Sequence, residues 1–200
     1  MDTVLVAHGW LGYPRQFRKL IAHLRAADFD ARVVAYPSVT GTFEGAVDIA
    51  RAAAQAARPA DGGRLHLVGF SLGGLVMRAL AAEAPPGLAS LVLIGTPNAG
   101  SSLADLLRLF LPTPALRRLS TDAPVLPPPP PGIRVGCIAG SGFDPLGLMM
   151  GEANDGRVAV SSALAVPHDD SRVLRLRHDT LPFALETAAL VVSFLRHGHF

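Results

Sequence analysis

The chain has 200 residues, half of them hydrophobic and 17% charged, with a formal net charge of +2. This length and balance support one domain, residues 1–200, built on one full core, and exclude a disordered chain. No apolar run reaches the roughly 18–20 residues of a membrane span, the single cysteine excludes an internal disulfide, and scattered arginines with one lysine, Lys19, form no basic run of the kind that marks nucleic-acid contact.

The chain opens on Met1-Asp2-Thr3-Val4-Leu5, without a basic leader or a cleavage site, from which we expect a cytoplasmic location. Thr3 to Ala7 is a short continuous apolar run, the mark of a strand buried on both faces of a parallel sheet. His8-Gly9-Trp10-Leu11-Gly12 breaks it as a loop. Residues 14–27 carry helical spacing through Phe17, Leu20, Ile21 and Leu24, with Pro14 suited to a first turn. Arg32 to Tyr36 reads as the second strand, closed by Pro37. An alanine-rich helix is expected over 43–58, stopped by Pro59, with Asp61-Gly62-Gly63 as the connection. A third strand over 64–69 runs into a helix over 72–84, which Pro85-Pro86-Gly87 ends. The fourth strand is Ser90 to Ile94. Strands alternating with helices at this spacing predict parallel βαβ units with right-handed crossovers. Residues 99–131 then carry no strand pattern. Their leucines and Phe110 predict one or two short helices, and Pro127–Pro131 a stiff spacer. The fifth strand is Ile133 to Ala139, with Cys137 as a small core residue. A glycine-rich excursion over 140–157, a short helix or turn over 158–164, a sixth strand from Arg172 to Leu176 and a last helix over 182–196 complete the order.

Between the third strand and its helix lies Gly69-Phe70-Ser71-Leu72-Gly73-Gly74: strand, sharp turn, helix, with a serine at the turn. Side chains two positions to either side of the serine would collide in so tight a turn, and glycines there remove them. The pattern resembles the G-x-S-x-G nucleophile elbow of the α/β-hydrolases. A serine hydroxyl is a poor nucleophile at neutral pH; it needs a base within hydrogen-bond reach and a third group to orient that base. In that family the order along the chain is Ser, then Asp or Glu, then His. The base therefore follows residue 71, which sets aside His8, His23 and His66. His168 falls in a loop before the last strand, and His197 and His199 in the tail. His178 directly follows the last strand, and strand C-termini are where sites form in open parallel sheets; it is the expected base. For the acid, Asp144 follows the fifth strand closely and Asp155 lies further on, in Asn154-Asp155-Gly156; spacing leaves both open. An oxyanion hole needs two backbone N–H groups. We expect one from Leu72, after the nucleophile, and one from Trp10, on a loop where the His8 ring would bond neighbouring backbone.

Val6-Ala7-His8-Gly9-Trp10, the serine turn, and Leu93-Ile94-Gly95-Thr96-Pro97-Asn98-Ala99-Gly100-Ser101 together resemble the lipase and esterase branch of the α/β-hydrolases, nearly end to end. Asn154-Asp155-Gly156-Arg157-Val158 resembles the segment that bears the acid there, which favours Asp155. The resemblance implies an α/β-hydrolase fold reduced to a minimal core of about six parallel strands flanked by helices, with 99–131 as a short helical insert able to act as a lid. It implies a serine hydrolase of carboxylic esters that works through an acyl-enzyme: Ser71 as nucleophile, His178 as base, Asp155 orienting it, and the Trp10 and Leu72 N–H groups binding the oxyanion. The partner would be a small-molecule ester or lipid, with Leu106, Phe110 and Met149 in its pocket, and no cofactor. Larger lipases of this branch hold a calcium ion near the acid; no second carboxylate pair for it is visible, so no metal is expected. A thioesterase or acyltransferase would use the same residues, and a hydrolase-fold binding protein would not need their chemistry.

Overall fold

The computed structural model describes residues 1–57 and 62–200; Pro59 and Asp61, expected as the helix stop and part of the connection, lie outside the described residues. Six strands form one sheet: β1 (Thr3–Ala7), β2 (Asp30–Val34), β3 (Leu65–Phe70), β4 (Leu88–Ile94), β5 (Arg134–Gly140) and β6 (Asp170–Leu174). They lie in the order β2-β1-β3-β4-β5-β6, and every neighbouring pair is parallel.

Period-two alternation along the central strands divides the core between two layers. Leu5, Ala7, Leu67, Leu91, Leu93 and Cys137 face one side. Two helices cover them: α2 (Phe43–Ala56), through Ala46, Val47 and Ala50, and α3 (Leu72–Ala82), through Leu75, Val76 and Leu80. Val4, Val6, Val68, Val92 and Ile94 face the other side. There α1 (Arg18–Ala26) contributes Leu20 and Leu24, and α7 (Leu185–His197) contributes Val191, Phe194 and Leu195. Each fully buried Val, Leu or Phe in these layers stabilises the fold by roughly 1.5–3 kcal/mol. Cys137 is buried in the first layer, and burial pushes its thiol up to about 12, which makes it an unreactive core residue.

Both edge strands begin and end two residues earlier than their composition predicts. β2 pairs with β1 from Thr3↔Asp30 to Ala7↔Val34, and β6 pairs with β5 from Gly136↔Asp170 to Gly140↔Leu174. The neighbouring strand sets the register, and an edge tolerates Asp30, Asp170 and Ser171 where an interior strand would not. Tyr36 is thereby released into a loop, and His178 stands four residues beyond its strand instead of directly after it.

The insert folds into two short helices, α4 (Ser102–Leu107) and α5 (Pro114–Leu119). Ser101 and Thr113 cap them by accepting from the Ala104 and Leu116 N–H groups. The insert is stapled to itself: the Thr121 hydroxyl donates to Asp105 at 2.7 Å, and Arg108 pairs with Asp122 at 2.8 Å. A last short helix, α6 (Val160–Ala163), follows the glycine-rich excursion. Among the described residues no helix is long and apolar enough to cross a membrane.

Candidate active site

The chain leaves β1 for β2 on one side and then crosses back to β3 on the other, so the strand order reverses between β1 and β3. Crevices at such switch points, beyond the strand C-termini, are where open α/β sheets bind ligands. Ser71 stands there, at the end of β3. Its φ of +53° lies in a region that side chains rarely occupy. Its own N–H donates to the Ile94 carbonyl at 2.9 Å, and its carbonyl accepts from Gly74 N–H at 2.9 Å, so both sides of the turn are fixed. The glycines are needed for close approach. A Cβ at Gly69 would strike the Gly73 and Gly74 backbone, and one at Gly73 would strike the Ala7 and His8 carbonyls. A Cβ at Gly74 would land on the Thr96 side chain, so this glycine lets α3 sit against the loop after β4.

His178 and Asp155 meet beside it. His178 Nδ1–H donates to Asp155 Oδ2 at 2.7 Å, and the His178 backbone N–H donates to the Asp155 carbonyl at 2.8 Å. The other carboxylate oxygen, Oδ1, accepts from the N–H groups of Arg157 at 3.0 Å and Val158 at 2.8 Å. The carboxylate is 1% exposed and fully engaged, so the imidazole is fixed in tautomer and orientation. The His178 ring also packs against Phe70, with centroids 4.8 Å apart. Ser71 and His178 line the same cavity, and no hydrogen bond joins the serine hydroxyl to the ring among the described contacts.

Asp144, the second acid candidate, does other work. Its Oδ1 accepts from Leu146 N–H at 2.9 Å, and its Oδ2 pairs with Arg177 Nε at 3.2 Å. It therefore braces the residue next to His178 and does not reach the ring. Asp144 is committed to Arg177, and among the described residues no three His, Cys, Asp or Glu side chains come together as a metal site requires.

On the other side, neither Trp10 N–H nor Leu72 N–H donates to another group among the described hydrogen bonds. The loop carrying Trp10 is held by His8. His8 Nδ1–H donates to the Gly9 carbonyl at 3.0 Å, and Nε2 accepts from Tyr36 N–H at 3.4 Å. The ring stacks on Tyr36 at 4.4 Å, and the Tyr36 hydroxyl donates to the His8 carbonyl. Burial with neutral partners pushes the His8 pKa down, so the ring stays uncharged. His66, by contrast, is buried near the far end of the sheet, on Ser90 and Asp2.

The Gly95–Ser101 segment ties these loops together. The Ser101 hydroxyl donates to the Arg157 carbonyl at 2.5 Å, Ser162 to the Gly100 carbonyl at 2.6 Å, and Asn98 Nδ2 to the Ala163 carbonyl at 2.7 Å. Arg78 of α3 donates to Asn98 Oδ1 at 3.1 Å, which links the serine helix to the same network.

The cavity beside Ser71 holds about 270 Å³. Trp10, Leu11, Phe70 and Pro97 form one part of its wall; Leu103, Ala104 and Leu107 of α4 and Leu116 and Leu119 of α5 form another. The insert thus turns an apolar face toward the serine. Two of the expected pocket residues are not in that wall. Leu106 is 40% exposed and Phe110 is 76% exposed. Residues 103, 104 and 107 share one helical face, and 106 falls outside it. The helical spacing of Leu103 and Leu107, and of Leu116 and Leu119, is the signal that could have found the lining. The Met149 side chain lies outside the described residues.

A family model described as the alpha/beta hydrolase fold matches residues 2–129. Among solved structures, a lipase of Bacillus licheniformis in its mature form superposes with a TM-score of 0.79 at 17% identity, over 100% of this chain and 92% of that one. A metagenomic carboxyl esterase gives 0.76 at 15% identity, over 98% and 75%. A type II thioesterase of the yersiniabactin pathway gives 0.65 at 16%, over 98% and 92%. At these identities the likeness is one of fold. A search of curated proteins finds no match.

Proposed function

The chain belongs to the α/β-hydrolase family, and from that premise we propose that it is a serine hydrolase of carboxylic esters, of the lipase or esterase type. One observation carries the reading: a buried carboxylate holds, at 2.7 Å, an imidazole that shares an apolar cavity with a serine at positive φ. In this reading His178 Nε2 takes the Ser71 proton as Oγ attacks the ester carbonyl. Asp155 holds the Nδ1–H tautomer and stabilises the imidazolium that forms. The Trp10 and Leu72 N–H groups receive the oxyanion. The tetrahedral intermediate collapses with cleavage of the ester C–O bond. The alcohol departs with the proton from Nε2, and the acyl group stays on Oγ. Water, giving its proton to His178, attacks the acyl carbon; the acyl–Oγ bond then breaks, His178 returns the proton to Ser71 Oγ, and the acid is released.

The cavity lies at the small end of ligand sites, which run from roughly 300 to 1,000 Å³, and its lining is mostly aliphatic. This supports short- to medium-chain esters over long ones. The test is a series of p-nitrophenyl esters of rising chain length, with fluorophosphonate labelling. We expect turnover to peak at short or medium chains, the label to sit on Ser71, and Ser71→Ala to lose several orders of magnitude in kcat. Full esterase activity in Ser71→Ala would overturn the reading.

A further inference from the structure

The cavity beside Ser71 contains one charged residue that the chemistry above leaves unused. Arg157 lines the cavity and is exposed, so it stands at the mouth. Its backbone is tightly held: the N–H donates to Asp155 Oδ1 at 3.0 Å, and the carbonyl accepts from Ser101 Oγ at 2.5 Å. Its guanidinium is a different matter. Four arginines of the surrounding loops and helices are engaged. Arg177 pairs with Asp144 and Asp179, and Arg108 with Asp105 and Asp122. Arg78 donates to Asn98 and to the Leu126 carbonyl, and Arg118 lies over the Phe43 ring and donates to the Pro124 carbonyl. The Arg157 guanidinium has no ion pair and no hydrogen bond among the described residues, and no carboxylate lines the cavity.

A guanidinium presents a planar fork of donors that matches a carboxylate or a phosphate in bidentate fashion. Anchored at its backbone and free at its tip, beside an apolar wall that weakens screening by water, it is placed to select charge. We propose that Arg157 makes this site selective for esters that carry a second, anionic group: a carboxylate at the far end of the acyl chain, or a phosphate on the alcohol. The aliphatic lining would take the hydrocarbon between the two ends. The proposal rests on the ester-hydrolase reading and adds the charge of the substrate to it.

Two matched pairs of esters test it. Monoethyl suberate against diethyl suberate places the charge on the acyl side. Monobutyryl glycerol phosphate against monobutyryl glycerol places it on the alcohol side. The wild type should prefer the anionic member of one pair by about tenfold in kcat/KM, mainly through KM and less so at high salt; the pair that responds identifies the side. Arg157→Lys should keep part of the preference, Arg157→Ala should abolish it, and Arg157→Glu should reverse it. An anionic-to-neutral ratio equal in wild type and Arg157→Ala overturns the proposal while leaving the ester-hydrolase reading intact. If the wild type hydrolyses none of the four and fluorophosphonate does not label Ser71, both fall together.

Discussion

Two histidines stand beyond the C-terminal ends of strands in this sheet. His8 is 1% exposed and His178 is 4% exposed. The chain treats them in opposite ways. His8, directly after β1, is held at both ring nitrogens by neutral backbone groups, Gly9 carbonyl and Tyr36 N–H. No nitrogen is left to exchange a proton, and burial without a counter-charge pushes its pKa down. His178, after β6, is held at Nδ1 alone, and by a carboxylate. Its other nitrogen has no partner among the described hydrogen bonds, and the residue lines the cavity that contains Ser71. Burial by itself therefore does not decide what a histidine does. What decides it is whether a carboxylate offsets the charged ring and whether one nitrogen remains open.

The largest effects should come from breaking the open histidine. His178→Ala should lower kcat for a p-nitrophenyl ester by several orders of magnitude, since in the proposed reaction a group acting in the transition state is removed, and should also lower the thermal midpoint, because Asp155 Oδ2 is left buried and unpaired. Asp155→Asn should follow with a loss of about 10⁴-fold, because the amide favours the wrong tautomer of the ring. A decrease under tenfold in the Asn variant, measured on pure folded protein, would mean that the carboxylate only anchors the loop.

How far this contrast could be read from the chain depends on how local its determinants are. The serine turn and the His8-Gly9-Trp10 loop are short segments whose backbone demands specific residues, so both were legible at the level of single positions. The central strands β1 and β3 were legible because burial on both faces writes a continuous apolar run. The edge strands were not, since half of each faces water and its partner, not its composition, sets the register. That two-residue error also hid Tyr36, the residue that closes both ends of His8. The acid was ambiguous for a related reason. Asp144 and Asp155 both sit in turns after β5, and only tertiary contacts separate them: His178 bonds Asp155, while Arg177 holds Asp144. In the insert, the abundance of leucine announced an apolar surface, but not which helical face would meet the cavity.

Smaller effects should come from disturbing the closed histidine. His8→Gln removes the stacked ring and at least one of its two backbone bonds. We expect a loss of about 1–3 kcal/mol in stability and a fall of about ten- to a hundredfold in kcat as the Trp10 N–H shifts. The same site gives a pH signature. Because the folded-state pKa of His8 is lowered, the unfolded chain binds its proton first on acidification. Stability is thus fully present above the ordinary histidine value, about 6.5, and is lost as pH falls below it. His66 is lowered by burial in the same way. Urea midpoints at pH 7.5 and 5 should therefore fall in the wild type, and the fall should be shallower in His8→Gln.

The mildest intervention asks whether the loop needs His8 itself or only its frame. Tyr36→Phe keeps the ring stacked on His8 and the Tyr36 backbone N–H on Nε2, and removes only the hydroxyl that donates to the His8 carbonyl. That carbonyl is packed so close to Gly73 that no side chain could stand there, so water has little room to replace the lost donor. We expect a destabilisation of about 1–2 kcal/mol with an unchanged denaturant slope, and a drop in kcat smaller than that of His8→Gln. A drop as large as that of His8→Gln would relocate the control of the loop. The tyrosine hydroxyl would then position Trp10, and the closed histidine would serve mainly as the surface on which that tyrosine stacks.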